Sequence, residues 1–131
     1  MKRIITFGTF DVLHVGHIRI LQRAKALGDH LTVGVSTDAL NFSKKSKMTV
    51  YPEDQRLEII RSICWVDDVF LEHSLDLKGE YIKQFDADVL VMGDDWVGRF
   101  DEFKTLCDVV YLPRTEGIST TMTLEEIRQS A

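Results

Sequence analysis

Cysteine is scarce: Cys64 and Cys107 are the only two in 131 residues, and they stand in separate segments. A disulfide framework is therefore excluded and reduced thiols are expected. Long apolar runs are missing as well. No stretch approaches the length that spans a bilayer, and the few apolar residues between Met1-Lys2-Arg3 and Gly8 are too short for a signal peptide's hydrophobic region, so no membrane insertion and a cytoplasmic location are expected. Basic residues are outnumbered, 16 Lys and Arg against 21 Asp and Glu for a net charge of −5, which argues against nucleic-acid binding through a broad basic face. Neither Gly-x-Gly-x-x-Gly nor the Walker pattern occurs, which speaks against a dinucleotide-dependent dehydrogenase and a P-loop kinase. No Ser-His-Asp set, nucleophilic cysteine context or paired-carboxylate signature stands out. Internal repeats, low-complexity tracts and linkers are also lacking, and the length suits one domain over residues 1–131.

What is present is alternation. Strand-like apolar runs recur at Ile4 to Phe7, Leu31 to Val35, Val66 to Leu71, Val89 to Met92 and Val109 to Leu112. Helical patterns separate them: Ile18 to Leu27, stopped by Gly28; Pro52 to Ile63, with proline in the first turn; Leu75 to Phe85; Phe100 to Leu106; and Thr123 to Ser130. Strands alternating with helices predict a doubly wound, Rossmann-like α/β domain, with a mostly parallel five-stranded sheet and helices on both faces.

Such sheets bind ligands beyond the carboxyl ends of their strands. The conspicuous polar clusters all follow a strand: Gly8 to His17, Ser36-Thr37-Asp38 with the run Lys44, Lys45 and Lys47, Gly93-Asp94-Asp95-Trp96, and Arg114 to Thr121. The first sets His14 and His17 around Gly16 where a strand hands over to a helix. Unpaired amides and the positive end of the helix dipole favour an anion there, and imidazole N–H groups add directional donors. Two histidines three residues apart are half of a zinc ligand set, and no third ligand stands near them, so no protein metal site is expected. In the last cluster Gly117 permits a tight turn, while Ser119, Thr120 and Thr121 precede a helix, where they suit both capping and phosphate binding. These loops predict phosphate chemistry performed by positioned donors.

Gly8-Thr9-Phe10-Asp11 with His14-Val15-Gly16-His17, and Arg114-Thr115-Glu116-Gly117-Ile118-Ser119-Thr120-Thr121, resemble the two signature motifs of the cytidylyltransferase family, within the wider HxGH nucleotidylyltransferase superfamily. The similarity spans essentially the whole chain. It implies transfer of CMP from CTP to glycerol 3-phosphate, giving CDP-glycerol and pyrophosphate, with Mg2+ accompanying CTP and a homodimeric assembly. Another alcohol or sugar phosphate such as ethanolamine phosphate as acceptor, ATP as donor, or a nucleotide-binding sensor without turnover are the alternatives. The resemblance further implies that Gly8, Thr9, Phe10, Val15 and Gly16 line the nucleotide site. His14 and His17 would donate to the phosphates. Lys44 would hold the acceptor phosphate or bridge it to CTP, and Lys47, with Lys45 as the alternative, would be the second lysine of that loop and contact the nucleotide; Arg114 and the run Thr115, Glu116, Gly117, Ile118, Ser119, Thr120 and Thr121 would grip the leaving phosphates, and Asp95 and Trp96 would sit by ribose and base. Arg56 and Lys78 would contact the acceptor. Val15 stands where related enzymes have a bulky aromatic.

Overall fold

The computed structural model describes residues 1–45 and 48–130. Five strands, β1 (Arg3–Gly8), β2 (His30–Ser36), β3 (Asp68–Glu72), β4 (Val89–Gly93) and β5 (Asp108–Leu112), form one sheet in the order β3-β2-β1-β4-β5. Every neighbouring pair is parallel, so the expected mostly parallel sheet is wholly so. Among the described residues five α-helices connect or follow them: α1 (Val15–Ala26), α2 (Asp38–Lys45), α3 (Glu53–Arg61), α4 (Lys78–Gln84) and α5 (Thr120–Ser130).

Side chains of a strand alternate between faces, and here the alternation divides the core in two. Ile4, Leu31, Val33, Val35, Val89 and Val91 face one way and pack with Leu21 and Ala24 of α1 and Ile60 of α3. Ile5, Phe7, Leu90 and Met92 face the other way and pack with Tyr81 and Ile82 of α4. On that second face Gly34 makes room for an aromatic cluster. A Cβ on it would lie 2.6 Å from the Phe70 ring and 2.7 Å from the Phe7 ring, which themselves meet edge to face at 5.8 Å. The helix α4 ends with Asp86 left-handed (φ 51°), while Asp86 N–H donates to the Lys83 carbonyl and Ala87 N–H to that of Ile82. This pair of bonds is a Schellman ending and turns the chain sharply into β4.

Several boundaries differ from the sequence expectation. Helix α2 has no apolar periodicity to announce it, since only Leu40 and Asn41 of its described side chains are buried; it is capped by the Thr37 hydroxyl, which accepts from Leu40 N–H at 3.1 Å. Residues Phe100 to Leu106 form a 3-10 helix, Asp101–Thr105, and Leu75–Leu77 form a 3-10 turn before α4. The third strand begins at Asp68 because Asp67 is spent on capping: its carboxylate accepts from Leu31 N–H at 2.8 Å and pairs with Lys25. Both α1 and α5 begin three residues before the expected starts at Ile18 and Thr123, because their first turns are formed by the motif residues. No helix among the described residues is long and apolar enough to cross a membrane.

Candidate active site

The chain leaves β1 toward β2 and β3, then crosses the sheet to β4 on the other side of β1. At such a reversal the connections diverge and leave a crevice beyond the carboxyl ends of the strands. Here it has a volume of about 770 Å3 and is lined by Gly8, Thr9, Phe10, His14, Gly16 and His17 from β1 and its loop. Asn41, Met48, Thr49 and Val50 form the β2 side; Asp95, Trp96, Pro113, Arg114, Thr115, Ile118, Ser119, Thr120 and Thr121 form the β4 and β5 side. Four separate connections, distant in sequence, thus meet on one rim.

The two histidines sit at the start of α1 in an arrangement that fixes their tautomers. His14 is the N-cap, and its Nδ1 accepts from Gly16 N–H at 3.0 Å; His17 Nδ1 accepts from His14 N–H at 3.2 Å. This is a capping box with imidazoles in the places usually held by Ser and Glu. An Nδ1 that accepts cannot carry the proton, so both neutral rings carry it on Nε2. The rings stack at 3.8 Å between centroids with 19° between planes, and the buried Phe10 packs edge-on against His17 at 5.5 Å. Burial pushes His14 below the ordinary histidine value. It pushes His17 down to about 4, assisted by His14 and opposed by the Asp11 carboxylate. Both rings are therefore neutral N–H donors at physiological pH.

Their loop is strained. Phe10 and Val12 hold positive φ angles of 54° and 48°, the second in a β-branched residue. Left-handed backbone of this kind costs roughly 1–3 kcal/mol per residue and persists only where surroundings over-determine it. Asp11, between them, supplies much of that determination: its carboxylate accepts from Val50 N–H at 2.8 Å and Tyr51 N–H at 2.9 Å, and its carbonyl accepts from the Thr120 hydroxyl at 2.8 Å. Under the loop lies a polar knot. Thr9 Oγ1 and Ser36 Oγ both donate to Asn41 Oδ1 at 3.0 Å. Arg56, with no exposed surface, donates to the carbonyls of Thr9 (3.0 Å), Ser36 (2.7 Å) and Tyr51 (3.0 Å) and pairs with Asp38 at 2.7 Å. Burial works to raise the Asp38 carboxyl, and the bonds from Arg56, the Glu53 amide and Thr49 outweigh it, leaving Asp38 below the usual carboxylate range.

Across the crevice, Arg114 is exposed on the wall and Gly117 takes φ 73°, the turn its residue type permits. Ser119 caps α5 by accepting from Met122 N–H at 3.1 Å, so the hydroxyl serves the helix with a lone pair and retains a proton to donate. Trp96 lines the wall and also packs on Phe100 at 5.6 Å; Asp95 stands beside it in the 3-10 turn Asp94–Trp96.

Most of the expected residues thus converge, and some do not. Arg56 and Lys78 are not on the crevice wall. Arg56 spends its guanidinium on the carbonyl knot, and Lys78, 2% exposed, pairs with the equally buried Glu72 and lies 4.2 Å over the Phe7 ring. Burial pulls Lys78 below the ordinary lysine value while Glu72 pulls it back. Both residues lie behind the wall with their charges paired, as an apolar interior admits a charge only when it is paired and hydrogen-bonded. Lys44 is half-buried in the last turn of α2, and Lys44, Val15, Glu116 and Gly117 are outside the crevice lining. Lys47 lies outside the described residues. Sequence reasoning missed Asn41, Thr49, Val50 and, from α5, Leu124, Glu125 and Arg128, all of which line the crevice. Their only sequence signal is position: α5 follows a recognised motif, and a helix that starts at the crevice carries its next turns along it.

A family model described as cytidylyltransferase-like matches residues 5–126. A glycerol-3-phosphate cytidylyltransferase of Bacillus subtilis is 53% identical over 127 residues, covering 97% of this chain and 98% of the relative. One from Staphylococcus aureus is 49% identical, covering 97% and 96%. Among solved structures, a lipopolysaccharide core biosynthesis protein from Thermoplasma volcanium superposes with a TM-score of 0.75 at 26% identity, over 88% of this chain and 99% of that one.

Proposed function

The chain belongs to the cytidylyltransferase-like family, and from that premise we propose that it transfers CMP from CTP to glycerol 3-phosphate, releasing pyrophosphate and forming CDP-glycerol. A phosphate oxygen of the acceptor attacks the α-phosphorus of CTP in line, a new P–O bond forms, and the bond from the α-phosphorus to the bridging oxygen breaks with its electron pair leaving on pyrophosphate. The nucleophile is already anionic, so no general base is required. Catalysis then consists of positioning and of stabilising charge on the transferring phosphoryl group.

The observation that carries this chemistry is the pair of imidazoles with both Nδ1 atoms occupied by backbone N–H groups, which leaves Nε2–H as the donor of each ring. Neutral donors suit a site that must bind a triphosphate and still let pyrophosphate depart. Arg114 and the hydroxyls of Ser119, Thr120 and Thr121, opposite, fit the β- and γ-phosphates, with Arg114 supplying a fixed charge to the leaving group. Lys44 is assigned to the acceptor phosphate, Lys47 to the nucleotide, and Asp95 with Trp96 to the nucleoside. Acceptor identity rests on the near full-length relatives.

Magnesium fits as an ion held chiefly by phosphate oxygens. Of the carboxylates on the crevice wall, Asp11 gives both oxygens to backbone amides, which leaves Asp95 and Glu125 to add one or two ligands. The ion would supply charge neutralisation on the triphosphate. Homodimer formation and cytoplasmic residence are proposed on the family resemblance and are checked by light scattering and fractionation.

The test is a pyrophosphate-release screen of CTP and ATP against glycerol 3-phosphate, ethanolamine phosphate and several sugar phosphates. Turnover is expected with CTP and glycerol 3-phosphate. Turnover only with another acceptor would overturn the acceptor assignment, and none with any pair would overturn the transfer reaction itself.

A further inference from the structure

Beside Asn41 of α2, the β2 side of the crevice is built by an irregular segment. Residues 48–51 run as an irregular strap between α2 and α3, and Met48, Thr49 and Val50 line the crevice from the β2 side. Apolar burial does little to fix it, because Met48 is 69% exposed and Val50 55%. Hydrogen bonds hold it instead, in two groups. On the interior side, Tyr51 carbonyl accepts from Arg56 Nε at 3.0 Å and from the Thr49 hydroxyl at 2.7 Å, and that hydroxyl lies 3.1 Å from Asp38 Oδ1. On the crevice side, Val50 and Tyr51 N–H both donate to the two oxygens of Asp11.

Asp11 makes that grip from a loop in which Phe10 and Val12, on either side, take left-handed backbone. A residue with two strained neighbours, a carboxylate bonded to one distant loop and a carbonyl bonded to another is a junction. Through Thr120 it reaches the start of α5 on the phosphate side, and through residues 50 and 51 it reaches the connection that also carries Lys44.

We propose that Asp11 is a positioning residue for the acceptor half of the site, holding the 48–51 strap as the wall against which the acceptor seats. The inference rests on the transferase reading above. It separates the two substrates by side: Asp95, Trp96 and Arg114 come from the connections after β4 and β5, while the strap and Lys44 come from the connection after β2. Removing the Asp11 carboxylate leaves the Arg56 group of bonds in place, so the strap loosens at its crevice face without detaching. The bond from Thr120 goes to the Asp11 backbone carbonyl and does not depend on the side chain.

The experiment compares wild type, Asp11→Ala and Asp11→Asn by steady-state kinetics, CTP titration calorimetry, thermal unfolding and amide hydrogen exchange at residues 50 and 51. In Asp11→Ala the acceptor KM is expected to rise about tenfold or more while the CTP KM stays within about threefold. Exchange at Val50 and Tyr51 is expected to accelerate about tenfold or more. Asp11→Asn, which keeps one acceptor oxygen and turns an N–H donor toward the second amide, falls between. An unchanged acceptor KM in folded Asp11→Ala overturns the proposal, as does an equal rise in both KM values. If wild type fails to turn over glycerol 3-phosphate, the functional reading fails separately; unchanged exchange at residues 50 and 51 in Asp11→Asn would then still refute the grip, and accelerated exchange with intact CTP binding would sustain it.

Discussion

Replacing Gly16 by alanine separates the chemistry of this site from its stability. Gly16 lies in the first turn of α1 with ordinary helical backbone, where alanine is favoured over glycine by roughly 0.5–1 kcal/mol. The added Cβ, however, would sit 2.8 Å from Cε1 and 2.9 Å from Nδ1 of His14. Ordinary contact begins at 3.4 Å, so the ring must retreat by at least 0.6 Å, the difference between 3.4 and 2.8. A ring at the end of a side chain can do so without moving the fold, at the loss of the cap bond from Gly16 N–H, worth about 1 kcal/mol. The two effects on stability nearly cancel. The effect on catalysis does not, because a donor displaced on the scale of 1 Å costs up to about 10²-fold, while deleting a transition-state donor outright costs about 10²–10³-fold. Gly16→Ala is thus expected to lower kcat about 10–100-fold, approaching His14→Ala, with a melting temperature within about 4 °C of wild type. Saturating pyrophosphate-release assays and thermal unfolding measure the two quantities side by side. A folded Gly16→Ala enzyme with wild-type kcat would refute the claim that the His14 ring is held in a catalytic position by its bond to residue 16.

Acid should weaken the fold through His17. The unfolded ring takes its proton near 6.5 and the folded ring only near 4, so the stabilisation is complete above pH 6.5 and is lost as pH falls toward 4. At most about 3 kcal/mol is at stake, with His14 adding in the same direction. Urea unfolding at several pH values in that window checks this, and an equally steep acid decline in His17→Gln would contradict it. Breaking the buried pair by Lys78→Met or Glu72→Gln alone is expected to cost about 3–5 kcal/mol, because the surviving partner keeps an uncompensated charge, while Lys78→Met with Glu72→Met recovers most of the loss. Chemical denaturation distinguishes these outcomes; single variants costing under about 1 kcal/mol would place the pair in contact with solvent.

The elements legible in the sequence are those whose physics is local. Alternation of buried Ile4, Thr6, Leu31, Val33, Val89 and Val91 with side chains of the opposite face is written residue by residue, and helices with a broad apolar stripe are visible in the same way. Helix α2 was not legible, because it is held by a threonine cap and by Leu40 and Asn41 rather than by a stripe. The histidine and Arg114 to Thr121 motifs were legible because close spacing leaves few geometries for a turn entering a helix. The interior placement of Arg56 and Lys78 was not legible, since a cation looks the same in sequence whether it faces a ligand or a buried carbonyl.

By itself, then, the sequence determined the parallel α/β architecture and the rim on which the polar clusters gather, because periodicity and capping act over a few neighbouring residues. Only the tertiary structure decided that Asp11 clasps residues 50 and 51 some forty positions away, that Arg56 and Lys78 are interior groups, and that both imidazoles present Nε2–H. Those outcomes depend on which polar groups are brought together and shut off from water, and that is settled when the sheet closes and every buried donor must find its acceptor.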